Sequence, residues 1–540
     1  MRRHRALRAG LAALLAVTFA TAAESRRREV APPPPPPSAG GLIDNVNGYA
    51  FDRGRSLVRF TGLLIGKDGR VAKLLTAADK RPERLDFRLD GHGRTLLPGL
   101  IDAHSHVMAL GRRAIGLDLG EARTIEALQG TLAAYARAHA TPLWIYGGGW
   151  PETFLLSHLP AAADIDAVVS DRPVVLDFGG GQGLLANGAA MAAAGIGTKT
   201  ADPVGGRIER DANGRATGLF VGTAEGLILA AMPRMLPRER DEALAAAQDR
   251  LIRAGITTTT DIGTSIEDWT AFRRAGDAGR LRMVGVALVA DGGLGTRGAW
   301  LKADYADAAG VRGLRFLDDA KLRNLMSRAA MDRFQVAVTA TGDAAVAQLL
   351  GAIEEEAETY KGDRRWRIEG ARLVDPADLP RFARNGIVAS LQPGQSAADR
   401  RMAETRLGAA RAAGGSVWRA LPGVSLAFGS GGQGGVPAPF ADIAAAVEGG
   451  GDVAGALAAY TAGAAYAGFA EAQLGSLAPG AMADFVLVDH DMIAHPGETA
   501  ATQVLETWIG GKRLWVRGAN EQNVTPLPPG GEGDRAISAP

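Results

Sequence analysis

Apolar and polar positions change period repeatedly along this chain. Short runs of apolar and branched residues, with the length of strands, alternate with longer Ala/Leu/Arg-rich stretches of helical period. The strand-like runs lie near residues 98–106, 174–181, 256–262, 284–290, 335–341, 366–372, 387–392 and 424–429. Helical stretches such as Arg240–Ala254, Leu322–Met331 and Ala344–Tyr360 separate several of them. Alternation of this kind predicts repeated βα units on a parallel sheet, and eight runs match the number that closes a (β/α)8 TIM barrel. The expected fold class is α/β, with the barrel over 98–474. Two departures mark an insertion at about 143–236: an extra strand-like run, Ile145–Trp150, and a hairpin pattern over Gly206–Phe220 around Asn213-Gly214. Strand-rich flanks, Leu57–Ile65, Arg70–Leu75 and Leu85–Leu89 before the barrel and Ala483–Val488 and Val504–Val516 after it, predict a small β-sandwich assembled from 42–97 and 475–517.

The two ends have a different character. Met1–Arg8 is basic, Ala9–Ala23 is apolar, and Ala20-Thr21-Ala22 fits a small-residue cleavage site, which together read as a secretory signal peptide over 1–23. The alternative is a retained anchor, although the apolar run is shorter than the ~20 residues that span a bilayer. Cleavage predicts a periplasmic or secreted protein with no stable membrane span. Pro32–Pro37 would stiffen a linker over 24–41, and the Gly/Pro-rich segment 518–540 reads as a disordered tail. The 540 residues, 46% hydrophobic and 22% charged, suit a large globular domain. A net charge of +1 supplies no field that would attract nucleic acid. With no cysteine, disulfides, thiolate zinc sites and a cysteine nucleophile are all excluded.

Candidate chemistry is concentrated at the first barrel strand. In Leu97-Pro98-Gly99-Leu100-Ile101-Asp102-Ala103-His104-Ser105-His106 the two histidines are spaced i, i+2, so on a strand they share one face and can reach one metal ion. This run, with Gly147–Trp150, Gly205-Gly206-Arg207-Ile208, Asp291-Gly292-Gly293-Leu294-Gly295, Gly342-Asp343, Arg367-Ile368-Glu369, Gln392-Pro393, Phe428-Gly429-Ser430 and Gly475–Gly480, resembles the amidohydrolase superfamily, in particular its amidohydrolase 3 branch of formamide-deformylase-like enzymes. The resemblance runs from about Leu42 to Arg517. It implies a composite fold of barrel and small sandwich, one or two divalent metals, usually zinc, and hydrolysis of non-peptide C–N bonds in an amide-like small molecule. It also suggests Trp150 as a substrate-pocket residue, with packing of the insertion as the alternative.

The same resemblance exposes gaps. Where the family has a bridging lysine this chain has Ala287; where it has histidines it has Thr339, Gly370, Gln182 and Gln395; and its aspartate after the eighth strand is Gly431. A check that needs no alignment agrees: no histidine occurs between Leu159 and Asp489, so no shift of register restores one. His104 and His106 remain as metal ligands, with His158 as a possible substitute and an exposed loop histidine as its plainer reading. Asp261, Asp291, Asp343 and Glu369 stand at strand ends, and Glu152 and Glu225 in the insertion. Asp291, Asp343 and Glu369 are therefore candidates for a rearranged site, with structural ion pairs or loop hydrogen bonds as the alternative. Two readings follow: a metal-dependent amidohydrolase with weak or lost activity, or a non-catalytic binding or scaffold protein, a pseudoenzyme.

Overall fold

The first described strand, β1 (Ala39–Phe51), takes in the last three residues of the expected linker and is followed by β2 (Leu57–Gly66), β3 (Val71–Leu75), β4 (Phe87–Asp90) and β5 (Thr95–Pro98). The computed structural model describes residues 39–52, 56–141, 143–150, 159–178, 183–276, 285–398, 400–413, 417–431 and 437–518. The expected signal peptide, the proline run and the tail beyond 518 lie outside these residues, as do Glu152, His158 and Gln182.

After β5 the chain enters β6 (Leu100–Ser105), all of whose residues are buried, as a parallel strand covered on both faces requires. It then leaves for a separate sheet of six strands: β7 (Leu117–Asp118), β8 (Ile145–Trp150), β9 (Val174–Phe178), β10 (Gly183–Ala186), β11 (Gly206–Arg210) and β12 (Ala216–Gly222), in the order β11-β12-β10-β9-β8-β7. The hairpin at Asn213-Gly214 joins β11 to β12, with Gly214 at φ 75°. The chain returns in β13 (Ile256–Asp261), parallel to β6. It continues through β14 (Gly285–Val289), β15 (Gln335–Ala340), β16 (Arg367–Gly370), β17 (Val388–Leu391) and β18 (Ser425–Phe428), a five-stranded parallel sheet in sequence order. Finally β19 (Phe485–Val488), β20 (Val504–Ile509) and β21 (Lys512–Val516) join β1–β5 in one eight-stranded sheet ordered β21-β20-β19-β5-β1-β2-β3, with β4 on β1.

Two sequence expectations change. The run at 174–181 is not a stave of the parallel set: β9 pairs with β8 and β10 in the insertion sheet. Its pattern, Val-Val-Leu-Asp-Phe, is that of any strand buried on both faces, so periodicity does not distinguish the two positions. Nor do the described strands form a closed ladder. The parallel set comprises a pair and a five-stranded sheet, with no ladder between β13 and β14 or between β18 and β6 among the described residues.

The β18–β6 seam is held by other bonds. Ser430, just past β18, donates its hydroxyl to Asp102 Oδ2 at 2.5 Å and its backbone N–H to Asp102 Oδ1 at 3.0 Å, and Gly431 N–H donates to the His104 carbonyl at 2.9 Å. Gly429 permits this approach, because a Cβ there would stand 2.4 Å from the His104 backbone nitrogen.

Helices cover the parallel strands through narrow apolar stripes. In Pro237–Arg253 the buried residues are Ala243, Leu244, Ala247 and Leu251, one face of a 3.6-residue period. This helix lies against Val107–Ile115, which follows β6 directly, and a Cβ on Gly111 would meet the Ala243 carbonyl oxygen at 1.9 Å. Backbone-close packing at Gly111 thus fixes the helix that starts at His106.

Candidate functional site

The buried end of β6 brings together residues from three distant parts of the chain. His104 is buried, and its Nδ1 lies 2.7 Å from Glu369 Oε2 on β16. The other oxygen of Glu369 accepts from Arg367 Nε at 2.7 Å; Arg367 Nη2 also donates to the Ala103 carbonyl at 2.7 Å and to Ser390 Oγ, on β17, at 3.3 Å. Arg367 and Glu369 sit i, i+2 on one strand and therefore share a face, as the two histidines do on β6. Arg367 is not among the candidates that the sequence suggests, although the alternation rule applied to Arg-Ile-Glu puts it on the face of Glu369.

Electrostatics follow from this arrangement. Burial alone pushes the Glu369 carboxyl up, but the Arg367 guanidinium and the His104 hydrogen bond outweigh it and hold the group at about 2. With Glu369 ionised, Nδ1 of His104 carries the hydrogen of their bond, which leaves Nε2 for another partner. The His106 ring lies 5.4 Å from that of His104, centroid to centroid, in an edge arrangement. Burial, then the neighbouring His104 and Arg113, press the His106 pKa down to about 3, so its imidazole is neutral near pH 7. Behind the pair, burial raises the Asp102 carboxyl to about 6 against the pull of its bonds to Ser430 and the His104 N–H.

The other candidates have structural tasks. Asp291 is buried and accepts three backbone N–H groups, from Trp300, Thr341 and Gly342, each at 2.8 Å. Burial nevertheless raises it to about 7. Asp343 opens the helix Asp343–Thr359 and accepts from Lys302 N–H at 2.9 Å. Asp261 ties Val107 N–H to the end of β13 at 2.6 Å. Trp150 is wholly buried in the apolar core of the insertion sheet with Leu176 and Leu219, and its ring N–H donates to the Asp177 carbonyl at 2.7 Å. Glu225, in the insertion, is driven up to about 8 by burial and then by the charge of Asp177.

A catalytic zinc site takes three protein ligands and an open position. His104 and His106 supply two imidazoles, but among the described residues no group of three or more His, Asp or Glu side chains is placed to hold a metal. Ala287 stands on β14, Thr339 on β15 and Gly370 at the end of β16, with Gly431 after β18. These residues do not fit a catalytic metal, and Glu369, the carboxylate on the His104 ring, is committed to Arg367.

Comparisons with known proteins agree on ancestry. A model of the amidohydrolase family matches residues 89–514. Protein LONG AFTER FAR-RED 3 of Arabidopsis thaliana is 30% identical over 530 residues, 87% of this chain and 91% of its own length. The YtcJ protein of Bacillus subtilis (strain 168) is 30% identical over 494 residues, 81% of this chain and 91% of its own. Among solved structures, an uncharacterized metal-dependent hydrolase from Pyrococcus furiosus shares the fold at a TM-score of 0.64 and 23% identity, with 84% of this chain and 99% of that one covered.

Proposed function

Because this chain belongs to the amidohydrolase family, we propose that it keeps the family's strand-end site as a binding site for a small amide-like molecule and has lost metal-dependent hydrolysis of the C–N bond. The observation that carries this reading is the buried network Arg367–Glu369–His104 in a site with no third metal ligand among the described residues. Hydrolysis of this type needs a metal that lowers the pKa of bound water towards ~7 and a carboxylate that takes its proton. Glu369, held at about 2 by the adjacent guanidinium, is a weak proton acceptor at neutral pH. Recognition asks less. The His104 ring, oriented by Glu369 through Nδ1, keeps Nε2 for a ligand, and an amide N–H is a matching donor.

We take β6 and β13–β18 as seven of the eight staves of a (β/α)8 barrel, a reading supported by their parallel order and the Asp102–Ser430 bonds at the seam. The site then lies at the C-terminal strand ends, where such barrels bind ligands. Residues 1–23 are read as an export signal, which makes the protein periplasmic or secreted; cell fractionation with N-terminal sequencing of the mature chain tests this. No helix among the described residues is long and apolar enough to cross a membrane.

One observation favours a second reading, a residual mononuclear hydrolase: a carboxylate on the far imidazole nitrogen, as Glu369 is on His104, is the usual support of a metal-bound histidine. Measuring zinc, manganese and nickel in the purified full chain, with formamide and amide binding and turnover, separates the two. The expected result is no stoichiometric metal and saturable, chelator-insensitive amide binding that His104→Ala weakens. Stoichiometric metal lost in His104→Ala and His106→Ala, with chelator-sensitive turnover, would establish the hydrolase instead.

A further inference from the structure

At the C-terminal ends of the parallel strands lies a cavity of about 370 Å³, within the size range of small-molecule sites. Thr341 and Gly342 after β15, Arg372 after β16 and Ser396 beyond β17 form part of its wall, and neither His104 nor His106 does. Its charged lining is lopsided. Among the described residues Arg372, Arg400, Arg411 and Arg419 line it, against the two acids Glu404 and Glu448.

Arg411 is the most telling of the four. Its Nε donates to the Leu407 carbonyl at 2.9 Å and its Nη2 to the Asp304 carbonyl at 2.7 Å, while its buried Nη1 has no hydrogen-bond partner. A buried guanidinium donor without an acceptor is unfavourable unless something else supplies one. Arg400, Arg411 and Arg419 are ion-paired to no carboxylate among the described residues. Arginine forks match the paired oxygens of carboxylates and phosphates.

We propose that this cavity is an anion site that takes a phosphate or carboxylate group of a small molecule, a phosphate monoester or a dicarboxylate. One oxygen of the anion satisfies Arg411 Nη1, and its charge meets the guanidinium groups of Arg400 and Arg419. A bound anion would also meet the site already described, because Arg372 Nη2 donates to Gln395 Oε1, whose amide nitrogen reaches the Ser430 carbonyl at 3.4 Å, and Ser430 holds Asp102.

Titration calorimetry of the full chain at low ionic strength, with inorganic phosphate, succinate and the neutral succinamide, tests the assignment. Saturable binding of phosphate or succinate, none of succinamide, and weakening with added salt are expected. Tighter phosphate binding assigns a phosphorylated ligand, and tighter succinate binding a dicarboxylate. Arg411→Gln should weaken the preferred anion by about tenfold or more, and the exposed Arg400→Gln by a few-fold. Glu448→Gln should tighten it by roughly twofold, a change that damage to the fold does not produce. The proposal is overturned if neither anion saturates by ~10 mM, if succinamide binds as well as succinate, or if the arginine variants bind like the parent. Because the lining omits both histidines, either outcome leaves the amide-binding reading standing.

Discussion

Glu369 Oε2 sits 2.7 Å from Nδ1 of His104, a residue 265 positions away in the chain, and the same carboxylate accepts from Arg367 at 2.7 Å through its other oxygen. One fully buried carboxyl group therefore serves a cation beside it on β16 and an imidazole on β6. Removing it strands both. Glu369→Leu is expected to destabilise the protein by about 3–5 kcal/mol, the range for leaving a buried charge unpaired, whereas Arg367→Met with Glu369→Leu should recover most of the loss. Urea denaturation of the single and double variants checks this; a double variant as unstable as the single one would mean that the network is not the cause.

The contact of Gly111 with the Ala243 carbonyl gives a second expectation, with an internal control. Gly111→Ala places a methyl 1.9 Å from that oxygen, so the two helices must separate, at a cost of about 1–3 kcal/mol. Gly130, in the helix Ile125–Ala138, has open space where its Cβ would be, and Gly130→Ala should stabilise by about 0.5–1 kcal/mol. Melting temperatures of the two variants should move in opposite directions.

Stability should also depend on pH through Glu225. Its folded-state pKa of about 8 is raised above the ordinary 4.5, first by burial and then by Asp177. Between these values the folded chain holds a proton that the unfolded chain has released, so stability falls as pH rises across that window, by at most about 1.4 kcal/mol per unit. Glu225→Gln removes this contribution and leaves those of Asp102 and Asp291, which burial also raises. Chemical denaturation at several pH values from 5 to 8 should give a flatter profile for the variant, and an unchanged slope would refute the assignment.

Ser430→Ala probes the seam. It deletes the 2.5 Å bond to buried Asp102 and leaves one carboxyl oxygen short of a donor, for a loss of about 1–3 kcal/mol. Hydrogen exchange should show the increase in opening first at the backbone N–H groups of Ser430 and Gly431, which bond across the same seam to Asp102 and the His104 carbonyl.

Much of this was legible in the sequence because the informative residues follow the periodicity of their strands. The His-x-His face of β6, the Asn213-Gly214 hairpin and the parallel strands β13–β18 were all readable from alternation and turn chemistry. Val174–Phe178 was not, since a strand buried on both faces has the same composition in a barrel or in an inserted sheet. The empty ligand positions were visible from the missing imidazoles, but their replacement was not. Which partner satisfies Glu369 depends on contacts between β6, β16 and β17, and these are set by the fold and not by spacing along the chain. The arginines of the cavity were equally hidden, because Arg372 and Arg400–Arg419 look in sequence like solvated helix and loop charges.

The sheet shared by the two ends of the chain bears on how the molecule assembles. β5 takes β19 as its antiparallel neighbour, with Thr95 opposite Val488 and Pro98 opposite Phe485, so strands made early have an unpaired edge until almost all of the protein has been synthesised. Pairings this remote in sequence are slow to form, and an exposed strand edge invites association with other chains in the meantime. The last strands made act as the clasp that ends the vulnerable stage.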